Sequence, residues 1–141
     1  MFNRIVVPVD SSALSRRALA QAFELAQYTG AKLTVLCVKQ IILLYYGALG
    51  PESQYISLEK LDGEEILNTM LSDMDISPDS IRKRSATTGN PALLIVAVAA
   101  EEGADLIVMG SRGFSLFTGF ILGSISRSVI KHAPCPVLIV K

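Results

Sequence analysis

Runs of strand-forming residues alternate with helical patterns along this chain of 141 residues. Ile5–Val9 and Leu33–Val38 are apolar almost without interruption, which is typical of strands buried on both faces, and Val137–Val140 is a further continuously apolar run. Shorter strand patterns lie at Ile81–Thr88 and Asp105–Met109. Strands that alternate with helices in this way predict an α/β domain built on a parallel sheet, and they argue against a sandwich or a bundle.

Residues at the ends of the helical segments match the positions that such residues prefer. Ser12 is suited to cap the start of the first helix, and Gly30 to follow its last turn in the left-handed conformation. Asn90 followed by Pro91 predicts the start of a later helix, because the first helical position does not need the N–H that proline lacks. Gly103 ends that helix.

The segment Lys39–Leu58 has no clean period. Ile41–Tyr46 is apolar, and Gly47, Gly50 and Pro51 then break any regular pattern. Two interpretations remain open for this segment. It is a loop or short helix folded over the sheet edge, or it is an exposed apolar patch that contacts a partner or a membrane surface.

Charge and hydropathy exclude several classes of protein. Thirteen basic residues balance thirteen acidic ones, so the chain lacks the basic surface that nucleic-acid binding normally needs. The longest apolar stretches, Ile41–Leu49 and Ala92–Ala100, are roughly half of the ~20 residues that a membrane-spanning helix requires. Cys37 and Cys135 fit a reducing compartment as free, buried thiols. A cytoplasmic protein without a membrane span is expected.

A glycine-rich loop comes after the strand that ends at Met109. Gly110 and Gly113 leave backbone N–H groups uncovered by side chains, and nine residues later Gly123-Ser124 begins another helical pattern. Uncapped N–H groups and the positive end of the helix dipole favour an anion there. The two half-sites together predict a phosphate cradle. The clamp of basic residues that rapid phosphoryl transfer needs is missing, so catalytic residues are not assigned.

The last strand pattern, Val137–Val140, lies at the end of the chain. An exposed strand edge is an aggregation hazard unless another chain pairs with it. We therefore expect a homodimer that forms by pairing of this strand.

Together these residues resemble the universal stress protein family, and the likeness extends over nearly the whole chain. The matching stretches are Ile5–Val9 with Asp10-Ser11-Ser12, Ser15 and Ala18-Leu19; Gly30-Ala31; Gly103–Gly113; Ile121–Ser126; and His132–Leu138. The spacing Gly110-x2-Gly113-x9-Gly123-Ser124 is similar to the signature of the family's ATP-binding branch.

The resemblance implies a single domain over residues 1–141, with a five-stranded parallel sheet in the order 3-2-1-4-5 and helices on both faces. This order reverses between the strands that end at Val9 and Met109. Ligands of open α/β sheets bind at the carboxyl ends of strands where the order reverses. Asp10 and Gly110 come directly after those two strand ends.

The resemblance further implies an adenine nucleotide, ATP, ADP or AMP, with Mg²⁺ or Mn²⁺ held mainly by phosphate oxygens and water. Asp10 is then a ligand of a ribose hydroxyl or of the metal, or alternatively a helix-capping acid. The alternative for the loop glycines is that they only form a turn and hold no ligand. The cofactor-binding residues by this resemblance are Pro8, Val9, Asp10, Val38, Met109, Gly110, Ser111, Arg112, Gly113, Gly123, Ser124, Ile125 and Ser126.

One departure from the family pattern bears on function. The insert Phe114–Leu122 has no lysine or arginine, whereas family members often carry basic residues there. The insert is an apolar lid or a subunit contact, and AMP or ADP is expected to bind about as well as ATP. The leading hypothesis is a nucleotide-binding stress or regulatory protein with slow turnover at most. A slow ATPase that uses Asp10 and metal, and an interaction protein without nucleotide, are the alternatives.

Overall fold

The computed structural model describes residues 1–38, 41–44, 54–57, 63–86, 90–112 and 122–141, with only the backbone for 41–44, 54–57 and 83–86. Strands β1–β7 and helices α1–α4 lie within these ranges. The strands are β1 (Arg4–Val9), β2 (Lys32–Val38), β3 (Ile41–Leu44), β4 (Gln54–Ser57), β5 (Arg82–Ala86), β6 (Leu106–Gly110) and β7 (Val137–Val140). The helices are α1 (Ala13–Thr29), α2 (Gly63–Asp73), α3 (Pro91–Glu101) and α4 (Ser124–His132), with a short 3₁₀ turn at Pro78–Ser80.

Five of the strands form one sheet in the order β5-β2-β1-β6-β7, and every pair in it is parallel. Without β3 and β4, this is the predicted order 3-2-1-4-5, and the predicted α/β fold is confirmed. The chain moves outward from β1 to β2 and β5, and then continues on the other side of β1 with β6 and β7. The order therefore reverses between β1 and β6.

Each face of the sheet has its own apolar core. The side chains of Ile5, Val7 and Val9 pack with α1 and α2, whereas Val6 packs on the opposite face with α3 and α4. Alternate residues of a strand point to opposite faces, so a strand covered on both sides must be apolar throughout. Full burial of such a side chain contributes about 1.5–3 kcal/mol, which explains the uninterrupted apolar runs.

The predicted helix ends are confirmed for α1 and α3. The Ser12 side chain accepts a hydrogen bond from the Ser15 N–H, and Gly30 closes α1 in the left-handed conformation with φ of 74°. At α3 the Asn90 side chain accepts hydrogen bonds from the N–H groups of Ala92 and Leu93, with Pro91 in the first turn. The first four N–H groups of a helix lack partners within it, and these side chains satisfy some of them.

The prediction of a loop or short helix at the start of the Lys39–Leu58 segment is wrong. Residues Ile41–Leu44 pair antiparallel with Gln54–Ser57 to form a separate two-stranded sheet. Each strand residue pairs with one at least ten positions away. Cross-strand pairs stabilise such a hairpin, and pairs at this separation leave no short-range pattern in the sequence. The alternative of an exposed apolar patch concerns side chains outside the described part.

At the amino end of the sheet, Asp105 joins β1 to the start of β6. Its carboxylate accepts hydrogen bonds from the backbone N–H groups of Asn3 at 2.8 Å and Arg4 at 3.1 Å. Desolvation acts to raise the pKa of Asp105, but these hydrogen bonds outweigh it and lower the pKa below its ordinary value. Arg4 Nη1 also donates to the carbonyl oxygen of Glu102 at 2.8 Å, beside the end of α3.

Both cysteines are free, as predicted, but only Cys37 is buried as predicted, whereas Cys135 is partly exposed. Cys37 lies in the core shared with α1 and α2, whereas Cys135 packs against the opposite core, so the sheet separates them. Burial raises the pKa of the Cys135 thiol, and the charge of Asp105 adds to the effect. Among the described helices, none has the length and apolarity needed to cross a bilayer.

Candidate functional site

The carboxyl ends of β1 and β6 part from each other. The paired register of these strands covers Ile5 with Leu106 and Val6 with Ile107, whereas β1 remains paired with β2 as far as Val9. The parting coincides with the reversal of strand order, where ligands of open α/β sheets bind. We call this opening, between Asp10 and Gly110, the crevice.

Asp10 is held by the first turns of α1. Its Oδ1 accepts hydrogen bonds from the Ser15 hydroxyl and from the Ser12 N–H, both at 2.8 Å. The Asp10 N–H in turn donates to Ser15 Oγ at 2.9 Å. One carboxylate oxygen of Asp10 thus bonds to the start of α1, as the helix-capping alternative predicts, although the N-cap residue is Ser12. The sequence analysis used Ser15 only for the family resemblance and did not include it among the site residues. Its position five residues after Asp10, in the first turn of α1, is the sequence signal that would have identified it.

Gly110 lies against the start of α1. A Cβ atom at this position would lie 3.0 Å from Leu14 Cβ and 3.3 Å from the Arg112 carbonyl oxygen. Glycine at the end of β6 therefore allows α1 to pack closely over the strand, which brings the Asp10 turn and the glycine loop together. The contact joins residues that are distant in the chain, so no local sequence pattern predicts it.

Ser111 connects β6, β7 and α4 through its backbone. Its N–H donates to the Val140 carbonyl oxygen at 2.9 Å. Its own carbonyl oxygen accepts hydrogen bonds from the Gly123 N–H and from the Ser126 hydroxyl, each at 2.9 Å. Because Ser126 is 3% exposed and also donates to the Gly123 carbonyl oxygen at 3.0 Å, its hydroxyl fixes the start of α4 against the loop.

Helix α4 begins without a side-chain cap. Gly123 occupies the N-cap position with φ of −64° and ψ of 161°, and it provides no side-chain cap hydrogen bond. The first turn has no acidic residue, whereas Lys131 and His132 lie in the last turn. The helix dipole is complemented by charge at its carboxyl end only, so the amino end keeps N–H donors and a partial positive charge for an anion.

The remaining predicted residues differ in their exposure. Val9, Val38 and Met109 are buried in the cores, so their side chains are covered. Ser124 is exposed, and Ile125, Ser111 and Arg112 are partly exposed. Pro8 is buried within β1, and Gly113 lies outside the described residues, as do positions 114–121 of the apolar insert.

A metal site made of protein side chains is not found in the described ranges, which contain no group of three or more histidine, cysteine or acidic residues. In the part of the chain that the structure describes, Asp10 supplies a carboxylate beside the crevice. A single carboxylate fits Mg²⁺ that is held chiefly by phosphate oxygens and water, because Mg²⁺ keeps several of its waters.

The fold and the crevice define an open, doubly wound α/β domain in which helix α4, with glycine as its N-cap, begins after the switch-point strand β6. The sequence profile of the universal stress protein family matches residues 1–141. The chain belongs to this family. It is 33% identical to the universal stress protein YxiE of Bacillus subtilis, with each chain covered completely. It is 34% identical to a universal stress protein of Thermus aquaticus, again over both complete chains.

Solved structures of related proteins share the fold. A universal stress protein in complex with cAMP is 29% identical with a TM-score of 0.66, over 99% of this chain and 97% of the other. The universal stress protein of Archaeoglobus fulgidus in complex with dAMP is 26% identical with a TM-score of 0.65, over 99% of this chain and 98% of the other.

Proposed function

We propose that this protein binds an adenine nucleotide in the crevice and acts as a stress-response or regulatory protein with slow turnover at most. The observation that carries the proposal is the bare start of α4, where Gly123 leaves the first turn uncapped beside the glycine loop. An anion at a helix start gains about 0.3–1 kcal/mol from the dipole. Most of the affinity therefore comes from several hydrogen bonds and from burial of the base.

In this proposal the nucleotide lies across the strand ends. The phosphates contact the backbone N–H groups of the loop and of the first turn of α4, with Ser124 as an exposed hydroxyl donor. The Val38 backbone contacts the base, and Asp10 lies between them. Gly113 and Arg112 belong to the proposed phosphate loop. Ser126 acts by holding α4 in place, because its hydroxyl already bonds to two carbonyl oxygens.

Two relatives support the ligand class. The related structures with cAMP and with dAMP hold adenine nucleotides that have a single phosphate. These ligands agree with the expectation that AMP and ADP bind this chain about as well as ATP. Mg²⁺ or Mn²⁺ is proposed to accompany ADP and ATP, bound through phosphate oxygens, water and Asp10. A cytoplasmic location completes the proposal and agrees with the two free thiols.

The experiment is titration calorimetry of the purified protein with ATP, ADP, AMP and cAMP, with and without Mg²⁺. Native mass spectrometry of the protein as purified identifies any nucleotide that it carries. Binding of an adenine nucleotide with no measurable hydrolysis over hours supports the proposal. Turnover that falls in Asp10→Asn favours the slow ATPase, and absence of binding by all four nucleotides favours an interaction protein.

We also propose that two copies pair through β7. Among the described strands, β7 pairs only with β6 and forms one edge of the sheet, and Leu138 on it is 42% exposed. An unpaired apolar edge favours addition of a strand from a second copy. Light scattering after size exclusion should give a dimer that Leu138→Arg converts to monomer. The matched control is Leu93→Arg on α3, where Leu93 is 62% exposed; if both variants remain dimeric, β7 is not the interface.

A further inference from the structure

Ser15 is one of three buried polar residues in the described part of the chain, and it faces Asp10 rather than the core. It is 6% exposed. Its Oγ accepts the Asp10 N–H at 2.9 Å and donates to Asp10 Oδ1 at 2.8 Å. The Ser12 hydroxyl donates to the same Oγ at the longer distance of 3.3 Å. Because the buried hydroxyl bonds to both the N–H and the carboxylate of Asp10, it fixes the backbone and the side chain of that residue together.

The two oxygens of the Asp10 carboxylate differ. Oδ1 accepts hydrogen bonds from the Ser15 hydroxyl and the Ser12 N–H. Oδ2 accepts none from the residues that the structure describes. An ionised carboxylate offers acceptor sites on both oxygens, and a ligand donor completes the set on the second one. The carboxylate thus has one oxygen committed to α1 and one available.

The position of Asp10 in the sheet indicates which part of a nucleotide meets it. Strands β2, β1 and β6 are neighbours in that order, and adjacent strands lie about 4.8 Å apart. If phosphate lies at the end of β6 and the base at Val38 on β2, the end of β1 lies under the sugar. The donors of a ribose are its hydroxyl groups.

We propose that Ser15 is a positioning residue that holds Asp10 with Oδ2 available to a ribose hydroxyl, and that it thereby sets the preference for ligands with sugar hydroxyls. This inference rests on the proposed nucleotide site. Without the Ser15 hydroxyl, Oδ1 keeps only the Ser12 N–H, and the carboxylate loses the bond that links it to the buried side of α1.

The test measures affinity by calorimetry for ATP and for its dideoxy analogue, which lacks both ribose hydroxyls. Wild type should bind ATP about tenfold more tightly than the dideoxy analogue, because the loss of one hydrogen bond to a charged group weakens binding by at least about tenfold. Ser15→Ala should lose most of that preference, and so should Asp10→Asn. In the Asp10→Asn background, Ser15→Ala should change the affinity for ATP less than about twofold, since coupled residues are non-additive.

Thr29→Val is the matched control, because the Thr29 hydroxyl also donates within α1, to the Leu25 carbonyl oxygen at 2.8 Å, but at the far end of the helix. It should leave the preference unchanged. Urea unfolding at the titration temperature establishes that each variant is folded.

Nucleotide binding in which Ser15→Ala keeps the wild-type preference overturns this inference alone. An equal effect of Ser15→Ala with and without the Asp10 carboxylate does the same, because it shows a general structural role. A wild type that binds no adenine nucleotide overturns the proposed function and this inference with it.

Discussion

Helices α3 and α4 pack side by side on one face of the sheet, and both begin at its carboxyl end, yet their starts differ. At α3 the Asn90 side chain accepts two backbone hydrogen bonds and Pro91 comes next. At α4 the cap is Gly123, without a side-chain bond. A side-chain cap typically stabilises a helix by about 1 kcal/mol. The start of α3 is built for stability, whereas the start of α4 lacks this side-chain bond, and the proposed function assigns its N–H donors to the phosphates.

Hydrogen bonds from neighbouring residues nevertheless hold the start of α4 in place. The Ser111 carbonyl oxygen and the buried Ser126 hydroxyl tie it to the glycine loop. These bonds use the Gly123 N–H and a side chain, not the N–H groups of Ser124 and Ile125. A binding site preorganised in this way avoids the entropy of ordering a loop when the ligand binds.

The largest expected effect comes from giving α4 a charged cap. Gly123→Asp should weaken ATP binding by about a thousandfold, because like charges about 4 Å apart repel by about 4 kcal/mol near a protein surface. The midpoint of thermal unfolding without nucleotide should stay the same or rise. Gly123→Asn, which caps without charge, is the control and should bind more tightly than the aspartate variant. Equal affinities for both would place the phosphates elsewhere.

A second comparison concerns Gly110 at the end of β6 and Gly123 at the start of α4. Gly110→Ala should destabilise the protein by about 2 kcal/mol, in the range of overpacking, because its Cβ would lie 3.0 Å from Leu14 Cβ. At Gly123 the nearest atom to an added Cβ is 3.4 Å away, which is ordinary contact. Urea unfolding of both alanine variants measures the difference, and similar free energies of unfolding would contradict the close packing of α1 on β6.

Removing the cap of α3 tests the other half of the comparison. Asn90→Ala should lower the free energy of unfolding by about 1 kcal/mol and leave nucleotide affinity unchanged. Asn90→Ser should restore most of the stability, because serine also accepts the first-turn hydrogen bonds. A loss of affinity in the alanine variant would mean that the start of α3 takes part in the crevice.

The smallest effect concerns the opposite end of the sheet, where the Asp105 carboxylate accepts hydrogen bonds from two backbone N–H groups. The lowered pKa of Asp105 means that its contribution to stability is present above the unfolded pKa of about 3.9 and is lost as pH falls through the lower folded pKa. Asp105→Asn should therefore unfold with a flatter pH dependence in the acidic range. Parallel curves for the variant and the wild type would refute this assignment.

Several features of the fold were predictable because their physical causes are local. The apolar runs of β1 and β2 require burial, and Ser12, Gly30 and Asn90 occupy positions that their own chemistry favours. The order of the strands came from the resemblance, since periodicity does not specify neighbours. The hairpin of β3 and β4 was missed because Ile41–Leu44 is apolar without alternation and its pairing partners lie ten or more positions away.

The sequence by itself determined a parallel α/β chain with two glycine half-sites at a fixed spacing, because strand burial, helix caps and backbone freedom are properties of short stretches. The tertiary structure alone decided that β1 and β6 part after Val6 and Ile107 and that Leu14 lies on Gly110. It also decided that Ser126 is tied to Ser111. These contacts join residues distant in the chain, and only packing of the helices on the sheet brings them together.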